Sequence, residues 1–180
     1  FAPLGAYRTG YRPRSFSKVS DIAPTEKDPF VRKQTIHGYV HDEMAAMSGG
    51  VQGNAGLFSN AEDLAKLCQM WLNGGSYGGR KILSGETVKL FTTSKSPTCR
   101  RGLGFDKPDT DKPDSSPTAA EASPATYGHL GFTGTCFWVD PDNRLIYIFL
   151  CNRVNPTRDN PAFSRLNIRP ALLSAIYRSL

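Results

Sequence analysis

Apolar positions are most regular in the last third of the chain. Thr135-Cys-Phe-Trp-Val139 reads as a strand, Asp140-Pro-Asp-Asn-Arg144 as a turn, and Leu145-Ile-Tyr-Ile-Phe-Leu-Cys151 as a second, buried strand. Upstream the period becomes helical: Leu64, Leu67, Cys68, Trp71 and Leu72 share one face. Ser59-Asn-Ala-Glu62 precedes that run as a capping box, and Gly74-Gly75 stop it. Ser84 caps a second, shorter helix that runs to Phe91. Leu166, Leu172, Leu173 and Ile176 mark a closing helix, which Pro170 must kink or restart. Gly102-Leu-Gly-Phe105 predicts a short strand. Residues 19–36 read as extended or looped. Residues 107–126, rich in Pro, Asp, Ser and Ala, read as a mobile surface loop or an insertion beside a site. The mixture predicts an α+β fold.

Bulk properties narrow the picture modestly. The 180 residues suit one domain with a real core, and 39% hydrophobic with 21% charged residues is ordinary for a globular chain. The longest apolar run, Leu145 to Cys151, is too short to span a membrane. Net charge is +6. The arginines towards the C-terminal end (Arg144, Arg153, Arg158, Arg165, Arg169, Arg178) are spread rather than clustered. That argues against a nucleic-acid partner and leaves an anionic polymer open. Cys68, Cys99, Cys136 and Cys151 show no metal spacing and no Cys-x-x-Cys. They read as free thiols, buried where they fall in helix or strand; a disulfide stays open, but no pairing can be deduced. No metal and no cofactor are expected.

Candidate chemistry sits at the entrance to the hairpin, in Tyr127-Gly-His-Leu-Gly-Phe-Thr-Gly-Thr135. Gly128, Gly131 and Gly134 recur at every third position and mark a backbone that another group approaches closely. His129 stands between the first two. A glycine-lined strand edge with one titratable side chain can present N–H groups to a carbonyl oxygen. On spacing alone, a glycine-rich entry to an edge strand with a polar surface histidine is the better reading. Elsewhere, His41-Asp42 could tempt one towards a base and its orienter, but neighbours on an extended strand point to opposite faces. A structural role fits them better. Ser15-Phe-Ser-Lys18 has the spacing of a nucleophile and its activating amine, which requires the first turn of a helix. No amphipathic period surrounds it, so it reads as loop.

The hairpin stretch, with its following strand, Asp-Pro turn and second strand ending in Asn152-Arg153, resembles the third motif of the serine β-lactamase and penicillin-binding-protein superfamily. It is closest to the class C-like hydrolases and esterases, where His-x-Gly often replaces Lys-Thr-Gly. Phe1-Ala-Pro-Leu-Gly-Ala-Tyr-Arg-Thr9 resembles the segment that closes the helical lobe of these proteins. Gly38-Tyr-Val-His-Asp42 followed by Gly49-Gly-Val-Gln-Gly-Asn-Ala-Gly-Leu-Phe-Ser59 resembles a further well-marked stretch. The resemblance runs from residue 1 to about residue 156. It implies a β-lactamase/DD-peptidase-like antiparallel sheet flanked by helices. It also implies one partial domain over 1–180, lacking the N-terminal helix and strands and most of the helical lobe. The Ser-x-x-Lys and Tyr-x-Asn motifs would then lie upstream of Phe1.

By that resemblance the reaction is acyl transfer at an amide or ester through an acyl-enzyme. His129 takes the place of the third-motif base, and the backbone N–H of Phe132 is the oxyanion donor. Leu130 stands where Thr is usual, which removes a hydroxyl for a substrate carboxylate. Leu130, Gly131 and Asn54, the last where the family often has His, are the expected substrate contacts. This chain by itself is expected to be inactive, because the nucleophile lies upstream. Expected partners are a small-molecule or cell-wall amide or ester substrate and the upstream part of the same protein, with a homodimer as another way to cover open sheet edges. A periplasmic or extracellular location follows. The alternatives are a non-catalytic cell-wall or peptide binding module on the same fold, and a basic domain for an anionic polymer.

Overall fold

The computed structural model describes residues 1–93 and 96–180. Among the described residues, fourteen α-helices and β-strands follow in order: β1 (Gly10–Tyr11), β2 (Lys27–Asp28), β3 (Gln34–Thr35), α1 (Glu43–Met47), β4 (Leu57–Phe58), α2 (Ala61–Leu72), β5 (Ser76–Tyr77), β6 (Arg80–Lys81), α3 (Gly85–Thr93), β7 (Tyr127–Leu130), β8 (Cys136–Asp140), β9 (Leu145–Phe149), α4 (Ala162–Arg165) and α5 (Ile168–Tyr177). The architecture is α+β. Its centre is the antiparallel sheet β7-β8-β9, in which His129 opposes Phe137 and Trp138 opposes Tyr147.

Alternation along the three strands sorts their side chains onto two faces. Cys136, Trp138 and Tyr147 pack with Ala119 and Leu173 on the face covered by α5, joined by Leu130 and Phe149. Tyr127 and Val139 pack with Cys68 on the face covered by α2, joined by Trp71, Phe105, Phe137 and Ile146. The sheet is thus the middle layer between two helices; of the stripe expected for the closing helix, Leu173 and Ile176 pack on the sheet, while Leu166 and Leu172 are exposed. The far side of α2 holds the N-terminal segment through Leu4, Ala6 and Met70.

Local chemistry shifts several expected boundaries. Asn60, not Ser59, caps α2, its Oδ1 accepting from the Asp63 N–H at 2.8 Å, while Ser59 Oγ lies 2.7 Å from Thr9 Oγ1. The closing helix restarts two residues before Pro170: α4 ends at Arg165, Asn167 adopts φ 48°, and Pro170 falls in the first turn of α5, where its missing N–H has no partner to lose. Gly102–Phe105 forms no strand; pairing reduces to a single bridge between Asp106 and Gly128. The segment 107–126 is anchored at its centre, with Ser116, Thr118 and Ala119 buried. Cys68 and Cys136 are buried free thiols, and burial pushes them up to about 12 and about 11; Cys99 is an exposed one.

Gly128 is required by packing. A Cβ there would lie 2.0 Å from the Phe137 carbonyl oxygen and 2.6 Å from the Trp138 ring. Both are fixed parts of β8, so Gly128→Ala is expected to lower unfolding free energy by at least about 3 kcal/mol in urea titration. Gly131→Ala clashes with the rotatable Thr135 Oγ1 at 2.3 Å but stands 3.4 Å from the nearest backbone atom, and should cost less.

Candidate active site

One cleft of about 1000 Å³ runs between the β7–β8 turn, the 54–60 stretch and residues 39–43. His129, Leu130, Gly131, Phe132 and Asn54 all line it, as does His41. The structure therefore brings together every residue singled out for catalysis or substrate contact, although Asn54 and Phe132 are 78 positions apart in the chain. The Asn54 wall can approach so closely because Gly56, at φ 109°, passes Gly50; a Cβ there would sit 2.5 Å from the Gly50 oxygen.

The β7–β8 turn is held tightly. Gly131 N–H donates to Thr135 O at 2.7 Å, and Gly134 N–H to Gly131 O at 3.1 Å. Arg153 closes the outer side: its backbone N–H donates to Thr133 O at 2.8 Å and its Nε to Phe132 O at 2.8 Å. The Arg153 guanidinium also lies 4.6 Å from the Phe132 ring centre, and His41 stacks on that ring at 5.6 Å. Every carbonyl from Gly131 to Thr133 is thus occupied. The N–H of Phe132 is not: among the described residues no acceptor takes it.

His129 is bonded at both ring nitrogens. Nδ1 lies 2.8 Å from Leu130 O, and Nε2 lies 3.1 Å from Arg101 Nη1. A carbonyl only accepts and a guanidinium only donates, so the pair fits the neutral ring with the proton on Nδ1. Arg101 in turn reaches Asp106, Nη2 to Oδ2 at 3.3 Å, beside Arg100, whose Nη2 donates to the same oxygen at 2.9 Å. Arg101, which bonds His129 from outside the cleft lining, is a residue that the sequence reading did not single out.

His41 and Asp42 do not pair. Asp42 caps α1, accepting from the Ala45 N–H at 2.7 Å. His41 Nε2 meets Glu26 Oε2 at 2.8 Å, and Arg158 binds both Glu26 and Glu43. Burial pushes the Glu26 carboxyl up, but bonds from Arg158 and His41 outweigh it and hold the pKa down at about 2. This four-residue network ties the N-terminal segment to the chain after β9 and sets the wall on which Phe132 rests. Ser15 lies in a 3-10 turn and donates to Arg12 O at 2.9 Å, away from any helix that could present Lys18 to it. Among the described residues no cluster of three His, Cys, Asp or Glu could hold a metal ion, and no helix is long and apolar enough to cross a membrane.

A family model described as "Beta-lactamase" matches residues 1–168. The chain belongs to the beta-lactamase family. Within it, the chain is 42% identical over 167 residues to a protein of Escherichia coli named putative D-alanyl-D-alanine carboxypeptidase, covering 85% of this chain and 38% of that one. It is 39% identical over 175 residues to a protein of the same name from Salmonella enteritidis, covering 89% and 40%. The beta-lactamase-family chain thus spans about two fifths of the length of the curated relatives it matches. Among solved structures, a beta-lactamase from Mycobacterium bovis superposes with a TM-score of 0.51 at 21% identity, over 69% of this chain and 46% of that one, and so shares the fold.

Proposed function

We propose that this chain supplies the oxyanion strand of a serine hydrolase that cleaves an amide or ester bond through an acyl-enzyme. The reading rests on one observation above all. In a beta-lactamase-family chain, the Phe132 N–H has no acceptor among the described residues, on the wall of a cleft, while the carbonyls around it are all occupied. An N–H so held is preorganised for a negative oxygen, because no internal bond must break when charge develops.

In this reading a serine of the upstream part of the same protein attacks the substrate carbonyl. The serine oxygen bonds to the carbonyl carbon, its proton passes to the departing amine or alcohol, and the carbonyl oxygen carries negative charge against the Phe132 N–H. Water then attacks the ester, releases the acid and returns a proton to serine. His129 stands at the position of the third-motif base with its ring nitrogens engaged by Leu130 O and Arg101, and Arg101 adds positive charge there. Leu130, Gly131 and Asn54 contact substrate. A substrate with a D-alanyl-D-alanine terminus heads the candidates, on the strength of the relatives' name, and that name supports a periplasmic or extracellular site of action. The outer edge of β9 has no ladder partner among the described residues, and the upstream part of the same protein is its proposed cover.

Labelling with a fluorophosphonate and with a fluorescent penicillin, read by peptide mass spectrometry, tests the reading. The 180-residue chain alone should take up no label, Ser15 included, and a longer protein should be labelled stoichiometrically on a serine before Phe1. An adduct on Ser15 would sink the assignment of the nucleophile. No adduct in either would leave a binding module as the account of the same cleft.

A further inference from the structure

The Phe132 N–H belongs to the peptide group whose carbonyl is that of Gly131. That oxygen receives two donors: the Gly134 N–H at 3.1 Å, and Arg169 Nη1 at 3.2 Å. The same Arg169 nitrogen lies 3.2 Å from Thr135 O, the oxygen that accepts the Gly131 N–H. Arg169 stands in the first turn of α5, on the face of the sheet opposite His129, and reaches the turn from beneath. Its guanidinium lies 5.3 Å from the Phe163 ring centre.

Two features separate Arg169 from an ordinary surface arginine. It is part-buried, and among the described residues no carboxylate lies within ion-pair distance of it. A cation taken out of water without a counter-ion costs free energy, which two carbonyls and one ring face offset only in part. Burial accordingly pulls its pKa below the ordinary guanidinium value. A neutral donor would brace the turn without that cost.

We infer that Arg169 is a positioning residue for the oxyanion donor, orienting and polarising the Gly131–Phe132 peptide through its carbonyl. A hydrogen bond to a carbonyl draws electron density towards oxygen and leaves the N–H at the other end of the same amide a stronger donor, and a charged donor does so more than a neutral one. The unpaired positive charge also lies behind the place where negative charge develops. Arg169 touches neither substrate nor nucleophile; it acts through Phe132. The inference rests on the oxyanion reading given under Proposed function.

The test uses the full-length protein labelled with 15N-phenylalanine, the Phe132 amide being assigned by its loss in Phe132→Leu. Arg169→Gln keeps a donor but removes the charge. It is expected to move the Phe132 amide proton upfield, to lower kcat about tenfold, and to leave KM within about twofold. Arg169→Lys, which restores charge, is expected to recover most of both effects. An amide position unchanged in Arg169→Gln would overturn the inference, as would a loss confined to KM, or equal losses in the Lys and Gln variants, which would mark a packing role. A wild-type protein without acyl-transfer activity would sink the oxyanion reading, while the amide shift would still decide whether Arg169 polarises that peptide.

Discussion

Phe132→Pro in the full-length protein is expected to lower kcat by about 100- to 1000-fold, the loss typical of removing one oxyanion donor. Proline deletes the N–H, which makes no bond among the described residues, together with the ring, at a residue that is not among those with positive φ. Phe132→Ala is the control: it keeps the N–H, loses the ring that rests on His41 and Arg153, and should retain most of the rate. Steady-state kinetics on a chromogenic ester, with melting temperatures for each variant, would separate the two. Equal losses in both variants would place the contribution of Phe132 in its ring and remove the N–H from the mechanism.

Glu26→Gln is expected to lower stability by removing a buried carboxylate from its network. Glu26 is 1% exposed and joins His41 and Arg158, which also reaches Glu43. Its carboxyl has an ordinary value of 4.5, close to that of the unfolded chain, and about 2 in the fold. For an acid whose pKa is depressed by folding, the stabilisation is complete above the unfolded value and disappears as pH falls through the folded one. The window here is therefore pH 4.5 down to about 2. The difference corresponds to about 3 kcal/mol, and since the Arg158 side chain is 26% exposed, screening trims it to about 2 kcal/mol. Wild type should lose stability steadily below pH 4.5 in urea titrations, whereas Glu26→Gln should start lower at pH 7 and lose less over the same range. Asp140 and Asp28 act in the same direction: burial pushes each carboxyl up, but bonds to Asp140 from Ser123 and Tyr177, and to Asp28 from the backbone of Arg32, Phe30 and Val31, outweigh it and hold both below the ordinary range. An unchanged acid midpoint in Glu26→Gln would show that the network contributes little.

The sequence by itself determined the family, the α+β class, the β8–β9 hairpin, the two helices that cover the sheet, and the five residues that meet in the cleft. It could do so because those features are local. A period of two or of 3.6, a turn former, or a run such as Gly-His-x-Gly is written in neighbouring positions. Tertiary structure alone decided which side chains support the site. Arg101 reaches His129 across 28 positions, Arg169 reaches Gly131 across 38, and Arg158 reaches Glu26 across 132. Each is a long polar side chain on an irregular segment or a helix end, and in sequence each is indistinguishable from the other arginines of a basic chain. A hydrogen bond requires atoms within about 3 Å, and only the packed sheet with α5 against one face and α2 against the other brings those atoms together. The same holds at helix ends: Ser59 and Asn60 are both good caps by type, and the pull of Thr9 on Ser59 left the α2 N-terminus to Asn60.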